Sequence, residues 1–408
     1  MNKTILKKYA NLLIKSGLNV QPKQDVLIFA NVEIYPFVEM LVKEAYKAKA
    51  NYVRVIWADD EIYKAKINNA PLSVLKQFTG IDKAEMDYRI EKYPCMLHIL
   101  SSSPDASKGI KQDKEHAMIV ERSKFIKPYR DILDNKYQWC IAGYPSKAWG
   151  KKIYPELSAN RAQEKLLEDI LKVSRMGEDP NKNWEEHNKN LKSKCEKLNN
   201  LHLKELHYTS SNGTDLRVGL IPEANWLGGA EETVDKKIMF NPNIPSEEVF
   251  TSPKKGLAEG IVYSSKPLSY NGQIIDKFFI RFKDGKAVEY DAEVNKDLLR
   301  DLLNIDEGAS YLGECALIAH DSPINNTSIL FLNTLYDENA SCHLAVGRGF
   351  TNTIKDYEKY SKEELHNFGI NDSSSHVDFM IGTKDMKIVG KTINDKEVVI
   401  FENGNWAI

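Results

Sequence analysis

The sequence has no glycine-rich phosphate cradle. Neither G-x-x-x-x-G-K-[ST] nor a G-x-G-x-x-G following an early strand occurs in its 408 residues, so nothing marks a nucleotide-binding domain. A G-x-S-x-G nucleophile elbow and an H-E-x-x-H helix are also absent. Charge of one sign is lacking: 56 basic residues face 58 acidic ones, for a net charge of −2. That balance gives no electrostatic argument for nucleic acid or for an anionic membrane surface. No apolar run approaches the length of a membrane span. The N-terminal stretch "MNKTILKKYANLLIKSGLNV" lacks the continuous apolar core of a signal peptide and instead sets apolar residues at helical spacing with lysines between them. Cysteine is scarce: Cys95, Cys140, Cys195, Cys315 and Cys342 are an odd, scattered set without a C-x-x-C pair, as expected of a reduced, cytoplasmic protein. What is present is ordinary globular material, 42% hydrophobic and 28% charged, in a chain long enough for two domains.

The first part alternates helical and strand-like segments. Ile5, Tyr9, Leu12 and Leu13 form one face of a helix ended by Gly17. "DVLIFAN" reads as a short buried strand, "PFVEMLVKEAYKAKA" as a helix with Pro36 near its start, and "NYVRVIWA" as a second strand. "CMLHILSS", "HAMIVERSKFIKPYRDIL" and "QWCIAGYP" continue the rhythm, which predicts a parallel α/β domain over residues 1–190. The amphipathic "RAQEKLLEDILKVSRM" is followed by turn residues in "GEDPNKNW" and by the lysine- and asparagine-rich "EEHNKNLKSKCEKLNN", where a boundary is expected. Beyond it, short alternating runs separated by Asn212-Gly213, Asn271-Gly272 and Asp284-Gly285 predict a strand-rich α+β domain over residues 191–408, with a hairpin around Asp284 and Gly285.

The candidate chemistry lies in this second part. "DENASCHLAVGRGF" holds Glu338 and His343, "HVDFMIG" holds His376 and Asp378, "YLGECALIA" holds Glu314, and "NIPSEEVFTSP" holds Glu247 and Glu248. Taken singly, each has a structural reading: Glu314 as a strand-end or helix-capping carboxylate, His343 as a satisfied core histidine. Glu247 and Glu248 point opposite ways if extended, so at most one faces a given site. His376 and Asp378, two apart, share one face of a strand, either as a hydrogen-bonded pair or as a pair of ligands. Taken jointly, imidazoles with several carboxylates and no thiolate cluster are the ligand set of a hydrolytic zinc, cobalt or manganese centre.

The blocks "NIPSEEVFTSP", "EGIVYSSKPLSYNGQIID", "LGECALI", "LYDENASCHLAVG" and "HVDFMIG", in this order, resemble the signature blocks of the aminopeptidase T and aminopeptidase S family of thermophilic metalloproteases. The resemblance implies a cytoplasmic, homodimeric exopeptidase that removes N-terminal residues from peptides at a centre of two divalent metal ions. By matching blocks it implies Glu248, Glu314, Glu338, His343, His376 and Asp378 as metal ligands, with Glu314 bridging the two ions, and Glu247 as general base or supporting neighbour.

One position departs from the family pattern. Seven residues after His343 the family shows a tyrosine, and here stands Phe350, whose ring fills similar space without a hydroxyl donor. Arg348, in the preceding "GRG", is a candidate for the missing electrostatic role, against a reading as a surface arginine in a glycine-flanked turn. Three functions are therefore weighed: a working metallo-aminopeptidase, a metal-retaining but impaired peptide binder, and a metal-free scaffold whose acids satisfy one another.

Overall fold

The structure is a computed structural model and describes residues 2–408. It comprises two compact units, one of residues 2–185 and 230–245, the other of 186–229 and 246–408.

The first unit is built on a five-stranded parallel sheet. Its order is Val53–Ala58, Val26–Asn31, Cys95–Leu100, Trp139–Gly143, Asn243–Ile244. Val26, Leu27 and Ile28 are all buried, which is why this strand reads as a continuous apolar run: helices cover both faces of a parallel sheet. The helix Tyr35–Lys47 begins with proline in its first turn, where a missing N–H costs nothing, and turns Phe37, Val38, Leu41 and Ala45 inward. Tyr9, on the helix Lys3–Leu12, stacks on Phe37 at 5.4 Å and donates its hydroxyl to the Gly143 carbonyl at 2.9 Å. The short strand Asn243–Ile244, far on in the chain, completes this sheet, so residues 230–245 sit with the first unit although the sequence pattern assigns them to the second part.

The lysine- and asparagine-rich stretch is a helix, Pro180–Leu201. Its buried side chains Trp184, Leu191, Cys195 and Leu198 make a sparse stripe at helical spacing, too thin for composition to reveal.

The second unit holds two antiparallel sheets. The larger is nine-stranded and runs Leu268–Tyr270, Gln273–Lys283, Pro253–Tyr263, Asp215–Leu220, Leu203–Thr209, Lys387–Thr392, Glu397–Glu402, Asn405–Trp406, with Lys286–Val294 added beside Gln273–Lys283. The expected hairpin is present: Lys283 pairs with Lys286 across Asp284-Gly285, both at positive φ (49° and 76°). The smaller sheet runs Val249–Thr251, Leu312–Leu317, His343–Gly347, His376–Met380. One core joins them, with Cys315, Leu317, Leu344, Val346 and Phe379 of the small sheet among Leu206, Tyr208, Val218, Phe278 and Ile280 of the large one.

Candidate metal centre

The small sheet sorts its residues by the two-residue period of a strand. Leu344 and Val346 enter the core, so His343, Ala345 and Gly347 take the other face. Antiparallel register extends that face sideways: Glu314 pairs with Ala345, Ala345 with Asp378, and Gly347 with His376. Glu314, Ala345 and Asp378 thus form one row across three strands, with the methyl group of Ala345 between two carboxylates. Pairing breaks register between Leu312 and Glu314, and the residue at the break is Gly313. A Cβ there would lie 2.3 Å from the Gly347 carbonyl oxygen and 2.4 Å from that of Arg348, so only glycine permits the approach. Glu248 immediately precedes the edge strand Val249–Thr251, and Glu338 lies in a tight turn, Glu338–Ala340, before the His343 strand.

The histidines are aimed by main-chain carbonyls. Nδ1 of His343 bonds the Glu338 carbonyl oxygen at 2.8 Å, and Nδ1 of His376 bonds that of Arg348 at 2.7 Å. Since a carbonyl only accepts, each Nδ1 carries a proton, which turns Nε2 toward the acids, where a cation would meet its lone pair in place of any proton held there. Nε2 of His343 lies 3.7 Å from Glu248 Oε2 and 4.0 Å from Glu314 Oε1, whereas Nε2 of His376 lies 3.1 Å from Glu314 Oε2 and 3.2 Å from Asp378 Oδ1. The two oxygens of Glu314 therefore look toward different histidines. Glu248, Glu314 and His343 form one group of donor atoms within 4.8 Å of one another, and Glu314, His376 and Asp378 form a second.

The electrostatics call for a cation. Burial, reinforced by the charges of Asp378, Glu248 and Glu314, pushes the Glu338 carboxyl well above the ordinary range. Burial also works against charge on Asp378 and His376, but their mutual attraction prevails, lowering Asp378 to about 2 and raising His376 well above its usual value. Two imidazoles cannot balance the four carboxylates of Glu248, Glu314, Glu338 and Asp378 in so small a buried volume. Moreover, Asp378 Oδ1 is buried without a well-formed hydrogen bond, the condition of an oxygen meant for a metal. The donor set and the orphaned oxygen fit a divalent metal.

The remaining candidates differ in placement. Phe350 stands at the cluster, its ring 4.8 Å from that of His376 and 5.4 Å, edge-on, from Phe250. Arg348 is exposed, and among the described residues its guanidinium pairs with none of the cluster acids; its carbonyl is the group that meets His376. Glu247 is half-buried beside Glu248. Sequence reading passed over two residues. Ser252 both accepts from the Phe350 N–H at 2.8 Å and donates to its carbonyl at 3.2 Å, fixing that ring's main chain. Asn339 lies wholly buried next to Glu338. The available signal was a polar residue inside each signature block, "FTSP" and "DENAS", with no partner in sequence to explain it.

Buried imidazoles and carboxylates converging on one face of a sheet define a metal-dependent hydrolase site. Residues 2–406 match the family described as Thermophilic metalloprotease (M29). Aminopeptidase AmpS of Bacillus subtilis (strain 168) is 40% identical over 404 residues, covering 98% of each chain. The solved structure of AmpT from Thermus thermophilus superposes with a TM-score of 0.91 at 33% identity, covering 100% of both chains. The 2,5-dihydroxypyridine dioxygenase of Pseudomonas putida KT2440 shares the fold alone, with a TM-score of 0.54 at 13% identity. The chain belongs to the thermophilic metalloprotease (M29) family, as its signature blocks imply, and is a hydrolase of the metallo-aminopeptidase type that depends on divalent metal.

Proposed function

We propose that this protein hydrolyses the N-terminal peptide bond of peptides at a centre of two divalent cations. The observation that carries this reading is the position of Glu314, which belongs to both groups of donor atoms and turns one oxygen to each. One cation would be held by Glu248, Glu314 and His343, the other by Glu314, His376 and Asp378, with Glu338 beside both. Zinc, cobalt and manganese all suit these donors. When bound, such a pair supplies Lewis acidity toward the scissile carbonyl and makes water acidic enough to act near neutral pH.

The chain's own residues have distinct roles in this reading. The carbonyls of Glu338 and Arg348 hold each imidazole in one tautomer, so that no reorientation accompanies binding or turnover. The carboxylate surplus favours a cationic guest, and a free α-ammonium of the substrate is the natural ligand for whatever negative charge the metals leave. Glu247, in the segment carrying Glu248, would serve as general base or as support for that segment. Phe350 excludes water beside His376 and offers no hydrogen bond to a developing oxyanion, which favours a second reading, a slow enzyme that binds peptides well. Support for a cytoplasmic setting comes from five free, buried cysteines; no helix among the described residues is long and apolar enough to cross a membrane. A homodimer is implied by the family resemblance alone.

The test is hydrolysis of an unblocked leucine or arginine chromogenic amide by protein stripped with chelator and refilled with cobalt, zinc or manganese, with Phe350→Tyr run in parallel. Activity lost on stripping and restored by metal supports the working enzyme. Metal binding with turnover only in the tyrosine variant supports the impaired binder, and indifference to metal in both proteins overturns the proposal.

A further inference from the structure

We propose that Asn339 is a positioning residue of the metal centre, locking the Glu338 carboxylate to the main chain that presents Glu247 and Glu248; this rests on the cluster being the metal site. Asn339 is 0% exposed, so water cannot stand in for any of its bonds. Its Oδ1 accepts the Glu247 main-chain N–H at 2.7 Å. Its Nδ2 donates to the Leu335 carbonyl at 3.1 Å and to Glu338 Oε1 at 3.3 Å. This pattern fixes the amide's orientation. Reversed, it would set a donor against the Glu247 N–H and an acceptor against both a carbonyl and a carboxylate.

One side chain thus joins two segments that are distant in sequence and that each bring a carboxylate to the cluster. The adjacent Glu338 carbonyl extends the tie to a third, through His343 Nδ1. The amide also places the positive end of a dipole against Glu338, in a cluster that already holds the acids Glu248, Glu314 and Asp378. An aspartate of the same shape would add a further negative charge there and lose both donors. Asparagine alone meets the need for one acceptor and two donors without charge in this volume.

The experiment compares Asn339→Asp and Asn339→Ala with the wild type by two readouts. The first is equilibrium affinity for zinc or cobalt, from competition with a chromophoric chelator. The second is hydrogen–deuterium exchange of a peptide covering residues 246–251. The aspartate keeps an oxygen for the Glu247 N–H, so exchange there stays slow, whereas in the alanine variant it accelerates. Metal affinity falls about 10–100-fold in both, the size of effect expected when support of a ligand is lost. Wild-type affinity in both variants, even with a lowered melting temperature, would overturn the assignment by making Asn339 merely structural. Because the aspartate variant is isosteric, its chelator competition decides the matter even where Asn339→Ala fails to fold. Absence of metal binding by the wild type would overturn the reading of the site itself as well, a distinguishable result.

Discussion

A single ring, Phe350, stands where the resemblance to the family leads one to expect a tyrosine. Phe350 packs on His376 and Phe250, and Ser252 holds its backbone from both sides. The backbone being fixed, Phe350→Tyr adds a donor without moving the ring. Its kcat is expected to rise on the order of 10²-fold with KM little changed, checked by steady-state kinetics on the metal-loaded protein. Glu314→Gln keeps the shape of the proposed bridge and removes its charge. It should lose bound metal, measured by elemental analysis after gel filtration, together with activity.

A residue of the first unit governs a different property. His98, in the first unit, stacks on Phe29 at 4.5 Å, and burial together with the nearby Arg89 lowers its pKa to about 4. The unfolded chain therefore takes up this proton first as pH falls, and stability is lost between roughly pH 6.5 and 4. The loss amounts to on the order of 2–3 kcal/mol. His98→Phe keeps the stack and cannot titrate. Denaturant unfolding across that window should show the wild type losing more stability than the variant by about this amount, and parallel curves would refute it.

At the scale of elements, the small sheet works because it has two differently specified faces. Alternation places Leu344, Val346 and Phe379 in a core shared with the large sheet, and the same alternation delivers His343, Glu314 and Asp378 to one patch on the opposite face. Ala345, between Glu314 and Asp378, sets how near those carboxylates can come. Ala345→Leu should push them apart and weaken metal binding at least tenfold, while circular dichroism keeps the strand signal. Gly313→Ala forces a methyl group into two carbonyl oxygens; a loss of about 2–4 kcal/mol in unfolding free energy is expected, with metal affinity reduced as the bulge shifts.

The strands of the first unit were legible as short apolar runs alternating with helical patterns, and the hairpins of the second through Asn-Gly and Asp-Gly pairs, all of them local signals. The helix Pro180–Leu201 was not, since four well-spaced buried residues among lysines and asparagines resemble a solvated linker. Nor was the membership of Asn243–Ile244 in the parallel sheet, because a two-residue strand has no period to read.

For the whole molecule, the clustered acids make metal a component of stability. Ligand that binds only the folded state adds about 2.7 kcal/mol at one hundred times its Kd. Chelation should therefore lower the melting temperature by roughly 5 °C or more, and refilling should restore it, as scanning calorimetry would show. An unchanged transition would mean that the acids satisfy one another without a cation.

The amino-acid sequence by itself determined the candidate donor residues, their order along the chain and the α/β and α+β character of its two parts, since these follow from residue chemistry and local periodicity. Only the tertiary structure decided that Glu314 faces two histidines at once, that Arg348 contributes a carbonyl and not its guanidinium, and that Asn339 joins the segments carrying Glu338 and Glu248. These are contacts between strands and turns far apart in the chain. Register and packing fix such contacts, and no local pattern encodes them.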